Sequence, residues 1–151
     1  MIIDLCPTSI VLPGLILPSE VDRLPSANVI IYDGKCGFCT WSLAQVLASA
    51  KSGVSVVPFQ YLSDTQINNL GSSRDATSKM LHFITSNSTV LTGADAFNEL
   101  LQANAYCSIA IYFIRRLRWL LSAERMAYRW IAKNRVVISK ILGTSQCAIV
   151  D

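Results

Sequence analysis

Asn28-Val29-Ile30-Ile31-Tyr32-Asp33-Gly34-Lys35-Cys36-Gly37-Phe38-Cys39 runs from an apolar stretch through a glycine turn into a C-x-x-C pair. An unbroken apolar run of this length is the pattern of a strand buried on both faces. Thr40 to Lys51 has the composition of a helix, which the pattern starts at Cys36 and stops near Gly53. The first cysteine therefore falls at a helix start, where backbone N–H groups lack partners and the helix dipole favours negative charge. A thiolate there can attack a disulfide, and a second thiol one turn later can resolve the mixed disulfide. A zinc site needs four ligands, and His82, Cys6, Cys107 and Cys147 form no second pair at ligand spacing. No metal or organic cofactor is called for.

Outward from this motif, the order of elements defines the fold class. Val54 to Val57 is β-branched and reads as a second strand, and Ser63 with Gln66 has the spacing of a helix-capping box. Gly71 to Asp75 reads as a loop, and Lys79 to Ile84 as a third strand. Turn residues Thr85 to Ser88 lead into a fourth strand, Thr89 to Leu91, completing an antiparallel hairpin. Thr92 or Gly93 opens a helix carrying Phe97, Leu100 and Leu101. Two further helices, about 106–121 and 123–135, follow, the latter open to continuation through Leu142. Strand-helix-strand-helix-hairpin-helix is the order of an α/β, thioredoxin-like fold with additional C-terminal helices. A right-handed crossover then puts the start of the first helix at the carboxyl edge of the sheet, where ligands of open α/β sheets gather. Residues 1–27 contain Pro7, Pro13, Pro18 and Pro25 and read as an extended N-terminal arm, leaving 28–151 as the domain.

Composition narrows the setting. With 52% apolar and 15% charged residues among 151, the chain is long enough for one sizeable core. No apolar run reaches the roughly 18 to 20 residues of a membrane-spanning helix. Asp4 and Pro13-Gly14 spoil a signal-peptide pattern, so the expected location is cytoplasmic. Charge is segregated: residues 101–151 carry eight Lys/Arg against Glu124 and Asp151, whereas residues 1–100 carry a net −3. Arg115, Arg116, Arg118, Arg125, Arg129, Lys133 and Arg135 alternate with Tyr112, Trp119, Tyr128 and Trp130. The favoured reading is a pair of amphipathic helices with aromatics inward and basic groups in water. Nucleic acid is disfavoured because no binding-fold signature accompanies the charge; contact with an anionic lipid surface stays open.

Asp33-Gly34-x-Cys36-x-x-Cys39 resembles the signature of the thiol-disulfide oxidoreductase DCC family. The resemblance continues through Phe59-Gln60, Thr92 to Ala96, Tyr128 to Arg135 and Cys147, covering roughly residues 28–147. It implies a thioredoxin-like fold and oxidoreductase activity on protein or small-molecule thiols and disulfides. One departure from the wider thioredoxin superfamily is the lack of a proline before the third strand, where Ala76-Thr77-Ser78 stand.

The candidate site follows. Cys36 is the expected exposed nucleophile and Cys39 the shielded resolving thiol, with electrons drawn from a cellular thiol system. Asp33 either ties down turn N–H groups or accepts a proton during resolution. Gly34, Lys35, Gly37 and Phe38 shape the loop, Gly34 through a backbone conformation that other residues resist. Arg135 is a candidate thiolate stabiliser and Cys147 a candidate third thiol near the dithiol. His82 and Cys107 read as core residues, and Cys6 as a free thiol in the arm. The rival to an enzyme is a non-catalytic redox-sensing or interaction module that binds partners through the basic C-terminal helices.

Overall fold

The computed structural model describes residues 12–49, 53–102 and 105–144; the expectations for Cys6 and Cys147 lie outside them. Four strands, β1 (Val29–Tyr32), β2 (Ser55–Pro58), β3 (His82–Ile84) and β4 (Val90–Thr92), form one sheet in the order β2-β1-β3-β4. β1 runs parallel to β2, antiparallel to β3, and β3 antiparallel to β4. With α1 (Gly37–Ser49) joining the parallel pair, this is the thioredoxin-like arrangement. α2 (Asp64–Asn69), α3 (Arg74–Lys79), α4 (Gly93–Gln102), α5 (Ala105–Arg116) and α6 (Arg118–Ile141) complete it.

β1 is buried along its whole length, and its side chains alternate between two cores. Ile30 and Tyr32 pack with Leu43, Leu47 and Leu100 on one side; Val29 and Ile31 pack with Val21, Leu62 and Ile67 on the other. Leu12 is 1% exposed, and the chain after it runs beside β2, with Gly14 O accepting from Val56 N–H at 2.8 Å. Gly14 has φ +75°, and a Cβ there would lie 2.1 Å from Val54 O, so no other residue fits. Residues Pro18–Arg23 form a 3-10 helix rather than extended chain, burying Val21.

Several local expectations are corrected. The stretch read as loop ends in α3, whose polar residues show no apolar periodicity; the Ser73 hydroxyl caps it by accepting from Ala76 N–H at 3.2 Å. β3 consequently starts at His82 rather than Lys79. The break between the last two helices falls at Leu117, because α5 and α6 each pack on α4, which one straight helix could not do. α6 then continues unbroken through 24 residues.

The aromatics of these helices do not turn inward as a group. Tyr112, Trp119 and Trp130 are 63%, 68% and 63% exposed; only Tyr128 turns toward the domain, where it is half-buried and bonded to Leu81. α6 is apolar on two faces, so its inward face takes Tyr128 while Trp119, Met126, Trp130, Val137 and Ile141 share the opposite one. Cys107, expected in the core, is free and half-buried. The charge asymmetry is partly internal: Arg115 pairs with Glu99 at 2.9 Å and Arg125 with Asp95 at 3.0 Å, tying α5 and α6 to α4.

His82 is 2% exposed, with Nδ1 2.9 Å from Met80 O. Burial pushes its pKa below the ordinary histidine value, against a smaller opposing effect of the Met80 carbonyl. The neutral ring is thus favoured by folding, and this stability is complete above about pH 6.5, the unfolded value. It is lost as pH falls through the lower folded value, because the unfolded chain takes up the proton first. Urea midpoints should drop between pH 7.5 and about 5, and His82→Gln should flatten that slope; an unchanged slope would remove His82 as its source.

Candidate active site

The site is built where β1 ends. Asp33 Oδ1 accepts from Lys35 N–H at 3.1 Å, an Asx turn, and Cys36 N–H closes the turn on Asp33 O at 3.1 Å. Gly34 N–H donates to Gln60 Oε1 at 3.1 Å, while Gln60 Nε2 donates to Asp33 Oδ1 at 2.6 Å. Gln60 therefore clamps the loop from the segment after β2. Gly34 does not take the left-handed backbone expected of it; it is buried, and its N–H is held by Gln60 instead. Lys35 is exposed.

Cys36 is the residue before α1 and occupies the capping position. Its carbonyl accepts from Thr40 N–H at 3.0 Å, and its Sγ accepts from Cys39 N–H at 3.2 Å. The sulfur stands where a serine or aspartate oxygen stands in an ordinary cap. Cys36 and Cys39 are joined in a disulfide, with Cα atoms 5.2 Å apart. Their exposure runs opposite to expectation: Cys36 is 8% exposed, whereas Cys39 is only half-buried. The helix start tucks the first cysteine into the turn closed on Asp33, and Cys39, one turn on, packs half-buried against the core of Tyr32 and Leu43. Phe38 stacks on Trp41 with ring centroids 6.2 Å apart.

Arg135 arrives from α6. Its Nη2 lies 2.9 Å from Asp33 Oδ2 and donates to Ser78 O at 2.7 Å, so it reaches the dithiol loop through the carboxylate. About two turns earlier on α6, the Tyr128 hydroxyl accepts from Leu81 N–H at 3.2 Å, and burial raises its pKa. Gly93, at φ +59°, opens α4 directly under the Tyr128 ring. Burial likewise raises the pKa of Tyr32, the last residue of β1. Between α1, α4 and α6 lies a cavity of about 330 Å³ with Cys39 in its wall. Sequence reasoning did not single out Gln60 and Tyr128 as site residues. Their one signal was membership in the motifs Phe59-Gln60 and Tyr128 to Arg135.

A C-x-x-C pair joined in a disulfide at the first turn of a helix, at the carboxyl edge of a thioredoxin-like sheet, defines the class of thiol–disulfide redox proteins. The chain belongs to the DCC1-like thiol-disulfide oxidoreductase family, whose model matches residues 30–140. Neither a curated protein nor a solved structure matches it in comparison. No helix among the described residues is long and apolar enough to cross a membrane.

Proposed function

We propose that the protein exchanges its Cys36–Cys39 dithiol with the disulfides of protein or small-molecule substrates, Cys36 attacking and Cys39 resolving. The observation carrying this reading is the Cys39 N–H donated to Cys36 Sγ at the start of α1. A donor fixed there, with the helix dipole behind it, stabilises an anion on Cys36 in the reduced protein. The Cys36 thiolate attacks one substrate sulfur, the substrate S–S bond breaks, and one substrate thiolate leaves. Cys39, giving up its proton, attacks Cys36 Sγ and releases the second substrate thiol. Two electrons have then passed to the substrate, and the protein is left as the disulfide. A cellular dithiol or monothiol pool restores it by a second exchange, a step suited to a reducing compartment such as the cytoplasm. Asp33 holds the loop, and Arg135 holds Asp33. Reduced protein mixed with a fluorogenic peptide disulfide should release thiol in step with formation of the 36–39 bond; no release with any disulfide would end this reading.

A second reading, docking through the C-terminal helices, is favoured by the outward face of α6. Trp119, Met126, Trp130, Val137 and Ile141 are exposed along it, with Arg129, Lys133 and Lys140 beside them and in no ion pair among the described residues. Tryptophan with flanking lysine and arginine is the composition of an interfacial helix on anionic lipid. The protein should sediment with phosphatidylglycerol-containing vesicles and not with pure phosphatidylcholine. Trp130→Ser should weaken this about tenfold, the scale of one large apolar side chain withdrawn from the interface. Absence of sedimentation at low salt would dispose of the lipid partner.

A further inference from the structure

The cavity beside Cys39 is larger than disulfide exchange alone requires. At about 330 Å³ it falls at the lower edge of ligand cavities and exceeds the space of one side chain. Its long wall is one face of α6: Glu124, Ala127, Tyr128, Ile131, Ala132 and Arg135. At 1.5 Å per residue these span about 16 Å, so the cavity is a trough ending at the dithiol loop. Phe38, Phe97 and Leu101 supply apolar surface from α1 and α4. The polar groups along it already have partners. Asn98, 2% exposed, donates to Glu124 Oε2 at 2.9 Å, and Arg135 is held by Asp33 and Ser78 O. Among these groups only Glu124 is charged and without an ion partner, and it lies at the far end of the α6 wall from the dithiol loop, so a charged ligand beside Cys39 would meet no unpaired countercharge on them and would lose its hydration. Main-chain docking is also closed just before β3, where Arg135 takes Ser78 O and Tyr128 takes Leu81 N–H.

We propose that this trough is the specificity site of the exchange reaction and takes a neutral apolar segment flanking the exchanging cysteine of a peptide or protein substrate. The inference rests on the exchange reading above and names its substrate class: cysteines beside large aliphatic or aromatic residues, not small charged thiols. Because Cys39 stands in the wall, an apolar neighbour seated there brings the substrate sulfur to the 36–39 pair.

Two fluorescent peptides test this, each with serine in place of cysteine so that binding is read without exchange. One carries leucine and phenylalanine around the serine, the other aspartate and serine. The oxidised protein should bind the apolar peptide at least about tenfold more tightly, one large side chain moved out of water. Ala132→Trp, which fills the trough near the dithiol, should abolish that preference, and Ala127→Trp, farther along α6, is the independent variant should the first misfold. Trp130→Ser, on the opposite face of α6, should leave the preference intact. Equal affinities, or a preference lost with Trp130→Ser but kept in both alanine variants, would overturn the site. The corresponding cysteine disulfides separate the two readings. Exchange without apolar preference removes the specificity site and keeps the oxidoreductase. Apolar binding without exchange keeps the site and removes the oxidoreductase.

Discussion

Cys39→Ser should turn the protein into a trap, accumulating mixed disulfides through Cys36, while Cys36→Ser should lose turnover by about a thousandfold or more. The asymmetry follows from what each sulfur touches. Cys36 Sγ accepts a backbone N–H at the positive end of α1, so a negative charge there is stabilised in place. Once Cys36 holds the substrate, serine at position 39 has no thiol with which to release it. Burial argues the other way, since Cys36 is 8% exposed and Cys39 faces the cavity. These two physical effects make the experiment decisive. Mass spectrometry of each variant after incubation with a peptide disulfide should find the adduct on Cys36 in the Cys39→Ser protein and none on Cys39 in the Cys36→Ser protein. Adducts in the second variant and not the first would assign attack to the more accessible Cys39.

The parts of this molecule visible in its sequence are those set by neighbours along the chain. β1 and the C-x-x-C lie within twelve residues, so apolar run, turn and helix start could be read together. The capping box of Ser63 and Gln66 was likewise local, and the structure has it. α3 escaped notice because a short polar helix has no apolar period, and its one marker was Ser73. The orientation of α6 escaped for the opposite reason. Its apolar residues occur on two faces, so periodicity alone could not say that Tyr128 points inward and Trp130 outward. Gly34 was assigned a special backbone by residue type, whereas its role depends on Gln60, which only the folded chain brings near. Arg135, a candidate thiolate stabiliser by sequence, has Asp33 as its charged partner in the structure.

Arg135→Met should be the most destabilising single change at the site, lowering the unfolding free energy by about 2–4 kcal/mol. The side chains of Arg135 and Asp33 are 22% and 13% exposed, so the carboxylate left behind would be poorly compensated by water. Ser78 O would lose its donor as well. For a domain of this size the melting temperature should fall by roughly 5–15 °C. Asp33→Asn keeps an acceptor for Lys35 N–H while removing the charge, so it should cost less. Adding Asp33→Asn to Arg135→Met should then recover part of the loss, because the amide no longer needs a cation. Strict additivity of the two changes would show that the pair is not coupled. The same variants separate the two roles open to Asp33. A loop-holding Asp33 predicts that Asn at this position leaves the pH dependence of mixed-disulfide resolution unchanged while lowering the melting temperature. A proton-accepting Asp33 predicts slower resolution whose pH dependence is altered. The hydrogen bonds from Lys35 and Gln60 and the ion pair to Arg135 occupy both carboxylate oxygens, and that occupancy favours the first outcome.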